Sequence, residues 1–212
     1  MPLPLPQVSR KPIHNRSIRV QSYQREDGLF DLEAELFDCK SFPLESGGRG
    51  TLAPGQPVHH IHLRITIDDE FNIVAAQAMY DSAPYGKGCT AIEPQYEDLV
   101  GLNLMRGFRE KVNKRFGRVA GCTHITELTR VLPTAAVQTM AGLPGRPIRG
   151  NPTERPFQLD GCHALRVDGP VVAELYPRWY MVPAGGAPNA EVDALISDDE
   201  AVSSVVSPSS DS

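Results

Sequence analysis

The sequence has little of what announces the commonest protein classes. One Trp stands in 212 residues, and no aromatic motif of the RNA-reading kind occurs. No window approaches the roughly 18 consecutive apolar residues of a membrane span. The opening Met1-Pro2-Leu3-Pro4-Leu5-Pro6 lacks the charged and apolar parts of a signal peptide. Four cysteines (Cys39, Cys89, Cys122, Cys162) without any C-x-x-C argue against a disulfide framework, a zinc ribbon or a redox pair. No G-x-S-x-G elbow, P-loop, dinucleotide fingerprint or H-E-x-x-H is found, which disfavours a hydrolase of the common fold, an NTPase, a Rossmann dehydrogenase and a zincin. The expectation is a soluble, cytoplasmic chain with neither nucleic acid nor membrane as partner.

Basic residues are also missing from one region. Residues 183–212 carry six acids (Glu191, Asp193, Asp198, Asp199, Glu200, Asp211) and no Lys or Arg. Removing those six from the 26 acids leaves 20 against 21 Lys and Arg, so the formal charge of -5 belongs to the tail. The composition predicts an extended N-terminal arm over 1–15, one α+β domain over 16–182 and an acidic disordered tail over 183–212.

Hydrophobic spacing fills in that domain. Ser17 to Tyr23 and Leu29 to Phe37 alternate with the two-residue strand period around the turn Glu26-Asp27-Gly28 and predict a hairpin. Lys40 to Pro57 is dense in Pro and Gly and reads as loop. Val58 to Asp68 is the best strand: His59, Ile61, Leu63, Ile65 and Ile67 share the core face, and His60, His62, Arg64 and Thr66 share the other. Phe71 to Tyr80 is its hairpin partner. A helix opened by Pro94 carries Val100, Leu104, Phe108, Val112 and Phe116 on one face. A second begins at Thr123 as N-cap, buries Ile125, Leu128, Leu132 and Ala135, and is kinked by Pro133, whose ring costs roughly 3 kcal/mol inside a helix. Gly142 to Pro156 reads as loop, and Cys162 to Val167 with Val171 to Tyr176 as another hairpin. The sum is an antiparallel sheet packed against two helices, the second Pro-kinked.

Three constellations could carry chemistry. His60 and His62 could present two ligands to a metal ion, with His124 and Glu127 completing the set; the plain alternative is a solvated strand face. Cys89, Cys122, Cys162 and His163 have the ligand types of a structural zinc site, although their spacing is large and irregular and matches no zinc signature, and packing thiols are the plainer account. The third is an acid/base pocket of His59, His124, Glu127 and His163. His59 interrupts an apolar face and must find a partner there, while a His in the first turn of a helix is biased toward the neutral base by the helix dipole. Here Glu127 would orient a histidine or act as an acid/base group itself, Arg19 or Arg64 would anchor a phenolate or carboxylate, and Tyr80, Tyr85 or Tyr96 would donate to an oxyanion.

The chain resembles the family of domains of unknown function called DUF2889 over about residues 14–182. The resemblance rests on Arg16-Ser17-Ile18-Arg19, on Arg25-Glu26-Asp27-Gly28-Leu29 with Asp31, and on Val58-His59 with Leu63-Arg64-Ile65-Thr66-Ile67-Asp68. It continues in Ala83-Pro84-Tyr85, Cys89, Gly107-Phe108, Gly121-Cys122-Thr123-His124 with Glu127-Leu128, Ala135-Ala136 with Gln138-Thr139, and Cys162-His163-Ala164-Leu165. The family pattern has His at 59, but an acid and an aromatic are usual where this chain has His60 and His62. The resemblance implies relatives in bacterial aromatic catabolism, including the breakdown of lignin-derived biaryls.

The resulting expectation is a lyase eliminating water or formaldehyde, or an isomerase, that acts on a small aromatic substrate without cofactor or metal. His59, His124 and Glu127 would be catalytic; Arg19, Arg64, Tyr85, Cys162 and His163 would bind substrate. A homodimer is expected from the open sheet edges. Two alternatives stay open: a zinc-stabilised scaffold held by Cys89, Cys122, Cys162 and His163, and a binding module without chemistry.

Overall fold

The computed structural model describes residues 3–143 and 153–182. The acidic tail and most of the proline-rich loop fall outside the described residues. Chain contacts divide at Met140 into two compact units, 1–140 and 141–212.

The first unit is built on a four-stranded antiparallel sheet. Strands β1 (His14–Gln24) and β2 (Phe30–Lys40) form a long hairpin, turned at Gly28, whose φ of 83° suits a residue without Cβ. A short hairpin of β3 (Leu44–Ser46) and β4 (Gly50–Leu52) sits inside the stretch read as loop. Strands β5 (Pro57–Ile67) and β6 (Ile73–Ser82) complete the sheet in the order β1-β2-β5-β6. Alternation works as the pattern requires. Phe30, Leu32, Ala34 and Leu36 of β2 and Ile61, Leu63, Ile65 and Ile67 of β5 are buried on one face. Each of the Phe, Leu and Ile side chains among them is worth roughly 1.5–3 kcal/mol on removal from water.

After β6 come a short helix, α1 (Lys87–Thr90), and a 3-10 segment, Glu93–Leu99. The single helix expected from Pro94 to Phe116 is not formed. The chain breaks after Leu99, at Gly101 (φ 82°) and Gly107 (φ 64°), before α2 (Phe108–Phe116) resumes. Two glycines in left-handed conformation outweigh a spacing of apolar residues that only a continuous helix would place on one face. Helix α3 (Thr123–Met140) runs through Pro133 without interruption and buries Ile125, Leu128, Leu132, Ala136 and Met140. It packs across β1, β2 and β5, and covers the core face of the sheet.

The second unit has its own small core of Leu159, Val172 and Tyr176 with Leu165, Val167, Trp179 and Tyr180 around it. The hairpin expected there is instead a 3-10 turn, His163–Leu165, followed by α4 (Pro170–Leu175). Gly169-Pro170 explains the difference: proline at the first helical position has φ preset and no N–H to lose, so it starts a helix rather than closing a turn. No helix among the described residues is long and apolar enough to cross a membrane.

Candidate functional site

Three neighbouring strands lay polar residues in a row across one end of the core face. In the antiparallel register Arg16 of β1 stands opposite Asp38 of β2, and Asp38 stands opposite His59 of β5. Directly opposed residues share a face, so the row continues the apolar columns of the sheet. A register shift between Asp38 and Cys39 ends the ladder here, the kind of irregularity that re-aims side chains at sheet ends.

The start of α3 closes over this row. Gly121 passes so near Phe116 that a Cβ would lie 2.5 Å from its carbonyl oxygen, which leaves room for glycine alone. Buried Tyr96, stacked on Phe116 at 4.5 Å, brackets the turn: its hydroxyl donates to the Cys122 carbonyl and accepts from the Cys122 N–H, both at 2.9 Å. The Cys122 carbonyl accepts the first helical bond from Thr126 N–H at 2.9 Å, so Cys122 takes the N-cap position expected of Thr123. His124 and Glu127 then project from the first turn.

Asp38, with 4% of its side chain exposed, is the hub. Arg16 donates through Nε to Oδ1 at 2.7 Å and through Nη2 to Oδ2 at 2.6 Å, a bidentate fork. His14 Nε2 lies 3.1 Å from Oδ1, His59 Nδ1 3.2 Å from Oδ2, and His124 Nε2 3.8 Å from Oδ2. The His59 and His124 rings lie against each other with centroids 3.8 Å apart and planes tilted by 32°. Burial alone would raise the Asp38 pKa, but the Arg16 fork, helped by His14 and His59, holds it below the ordinary carboxylate range. His59 is pushed down from 6.5, first by burial and then by neighbouring His124, against the pull of Asp38. Its Nδ1 is buried and makes no hydrogen bond of good geometry despite the nearby carboxylate.

Cys122 borders the same cluster, its Sγ 3.9 Å from His124 Nδ1. Burial opposes its ionisation, yet interactions with His124 and Tyr80 and the backbone N–H groups of Ile125 and His124 bring its pKa down to about 7. Tyr80 of β6, its hydroxyl buried without a well-formed hydrogen bond, is held un-ionised by burial first and by Cys122 second.

The sequence-derived candidates divide sharply. His59 and His124 come together. Glu127 accepts from Arg16 Nη1 at 2.5 Å rather than meeting a histidine, and the carboxylate nearest His59 and His124 is Asp38. Arg19 and Arg64 lie on the opposite face of the sheet, Arg64 bound to Glu33 at 2.8 Å, so neither anchors a ligand at His59. Tyr85 is exposed beside Gly47 in the loop after β6. Cys89 and Cys122 belong to the first unit and Cys162 and His163 to the second. His60 and His62 face away from His124 and Glu127, so these four do not form one metal site; the two histidines contact Glu35 and Asp81 instead.

Asp38, Arg16 and His14 were missed. The signal for Asp38 was present, since it takes the position after Phe30, Leu32, Ala34 and Leu36 where the alternation calls for an apolar residue. Arg16 was excluded by drawing β1 from Ser17.

Two groups among the described residues bring metal-ligating atoms within 4.8 Å of one another: Asp38, His59 and His124, and Glu35, His60 and His62. In the first, Arg16 already donates to both oxygens of Asp38, and its fixed positive charge opposes a second cation there. A shallow cleft lined by Arg109, Val112, Asn113, Thr129 and Arg130 shares no residue with either group.

The family model described as "Protein of unknown function (DUF2889)" matches residues 14–138. Its match lies within the first unit, ending two residues before Met140, and contains every residue of the Asp38 cluster. No curated protein and no solved structure matches the chain.

Proposed function

The chain belongs to the DUF2889 family of proteins of unknown function, and we propose that it is a proton-transfer enzyme, a lyase or isomerase, whose reacting groups are His59 and His124. The observation that supports this most is the pair of adjoining, tilted imidazoles beside one oxygen of the buried Asp38 carboxylate, with one ring nitrogen left without a hydrogen bond of good geometry. Such a pair can hold one proton and pass it, because Asp38 stabilises whichever imidazole is charged.

The substrate class we propose is a small phenolic compound of the lignin-derived kind. His59, biased to the neutral form, would take the phenolic proton. The electron pair would move through the ring to expel a benzylic hydroxyl, which His124 would protonate to water, leaving a quinone methide. Loss of formaldehyde from a hydroxymethyl group on that intermediate would use the same groups: a base removes the hydroxyl proton, the C–C bond breaks, and an acid reprotonates the phenolate. No electrons are gained or lost overall. The reading carries with it a cytoplasmic location and pairing of two chains through the sheet edges β1 or β6; sedimentation showing only monomer would remove the pairing.

The test is turnover on a panel of phenolic substrates. His59→Ala and His124→Ala should each lower kcat by roughly 10²–10⁴ with the fold retained, the span typical of losing a general acid or base. Arg64→Ala, on the far face, should leave it unchanged. Folded histidine variants with full turnover would overturn the assignment.

A second reading is favoured by Cys122. A thiol at a helix N-cap, next to an imidazole that itself approaches a carboxylate, has the parts of a nucleophilic cysteine site. Iodoacetamide at pH 7 should then alkylate Cys122 ahead of exposed Cys162, forming an S–C bond and releasing iodide. Slower reaction at Cys122 would remove this reading and leave the first intact.

A further inference from the structure

The open face of the sheet carries a second cluster, unrelated to the one above. Glu35 of β2 stands directly opposite His62 of β5 and reaches diagonally to His60, its Oε1 2.7 Å from His60 Nε2. Asp81 of β6 approaches from the other flank, its Oδ2 2.9 Å from His62 Nε2 and 3.4 Å from His60 Nδ1. The two rings are 4.6 Å apart, and Phe37 meets the edge of His60 at 5.4 Å. Two imidazoles and two carboxylates from three adjacent strands therefore meet at one spot.

The charges there do not balance as they do along the rest of this face. Glu33 is held by Arg64, and Asp31 is bonded to Thr66 and Arg25. Among the described residues neither Glu35 nor Asp81 forms an ion pair with Lys or Arg; their ion-pair partners are histidines. Arg19, opposite Glu35 in the register, pairs with no carboxylate among the described residues. Two carboxylates without a Lys or Arg partner therefore stand around two imidazoles, a set of oxygen and nitrogen donors on an open face.

We propose that Glu35, His60 and His62 bind a divalent first-row transition ion of the zinc type, with Asp81 as the outer carboxylate that orients both imidazoles. The three ligand groups each offer one atom within 4.8 Å of the others. Tetrahedral bonds of about 2.0–2.1 Å separate donors by roughly 3.3 Å, so side-chain rotation alone closes the set. Nitrogen donors select zinc, cobalt, nickel or copper over magnesium and calcium, which prefer all-oxygen shells. A carboxylate on the far nitrogen of a ligating histidine is the usual outer partner, fixing tautomer and ring direction. With three protein ligands on an open face, the remaining positions would hold water. This site does not depend on the chemistry proposed for His59 and His124.

The test is zinc binding to the full, untagged chain by calorimetry, with the cobalt-substituted protein read by visible absorption. One zinc per chain is expected. His60→Ala or His62→Ala should abolish it or weaken it more than 100-fold, and Asp81→Asn should weaken it roughly 10- to 100-fold and shift the cobalt spectrum. His124→Ala and Cys122→Ser should bind as the parent does. Circular dichroism of each variant separates ligand loss from misfolding, and Glu35→Gln, nearly isosteric, serves if either histidine variant fails to fold. No zinc uptake by the parent, uptake unchanged in the folded His60, His62 or Glu35 variant, or uptake lost with His124→Ala would each overturn the proposal.

Discussion

One strand carries histidines on both of its faces, and the two faces treat them differently. His59, on the core side of β5, is 18% exposed, lies under the start of α3 and shares a buried carboxylate that a bidentate arginine holds ionised. His60 and His62, one and three residues on, look outward and meet carboxylates 35% and 47% exposed. The pleat alone makes this division, because each step along a strand reverses the side chain. The same residue type is thereby given two environments. Under α3, burial disfavours the charged form of His59 beside a carboxylate that Arg16 pairs; on the open face, His60 and His62 meet carboxylates that no Lys or Arg pairs among the described residues.

Removing the acidic partner on each side should expose the difference most strongly. Asp38→Ala would remove the bidentate partner of Arg16, itself only 31% exposed, leave it Glu127 alone, and open a gap in a buried row; it should cost about 2–4 kcal/mol in urea unfolding, near the range for breaking a buried pair. Glu35→Ala, in solvent, should cost about 0–1 kcal/mol. Equal costs on the two faces would show that Asp38 is no hub.

The turn that brings α3 to the row is the next place to press. Gly121→Ala forces a Cβ against the Phe116 carbonyl and the Tyr96 hydroxyl, and about 1–3 kcal/mol of overpacking should follow. Reactivity of Cys122 toward iodoacetamide should fall with it, since the bracket that sets the N-cap is disturbed.

The effect of pH should be smaller. The pKa of His59 is lowered on folding, so protonation favours the unfolded chain. Its stabilising share is complete above the unfolded value of about 6.5 and is lost as pH falls from there toward the folded pKa. His59→Gln should flatten that part of the stability profile. An unchanged slope would mean that burial does not disfavour the charged ring. Smallest of all, Arg64→Ala should change stability by less than about 1 kcal/mol, as exposed pairs do.

Much of this was legible in the sequence, and the gaps have physical reasons. The α+β class, the two long hairpins and the inward direction of His59 follow from two-residue alternation and turn residues, whereas the sheet order that sets β2 beside β5 does not. His124 at the start of a helix follows from the Gly121 break and the apolar spacing after it. Asp38 carried the same signal as His59, a polar residue in an apolar column, but the spacing of one strand does not say that its neighbour ends in a complementary row. That requires the register, in which Arg16, Asp38 and His59 fall side by side. Glu127 was assigned to His124 from helical spacing; Arg16, 111 residues away in sequence, takes it instead. Local patterns place a side chain on a face, whereas its partner across the sheet is set by long-range pairing.

The central claim is that the core-face imidazoles beside Asp38 are poised for proton transfer, and histidine NMR tests it without a substrate. Chemical shifts of the His59 ring, assigned by its loss in His59→Gln and followed through pH, should show titration below 6.5, and lower still in Asp38→Asn, which removes the carboxylate that supports the charged form. A His59 that titrates at or above 6.5, or that ignores the loss of Asp38, would contradict the account.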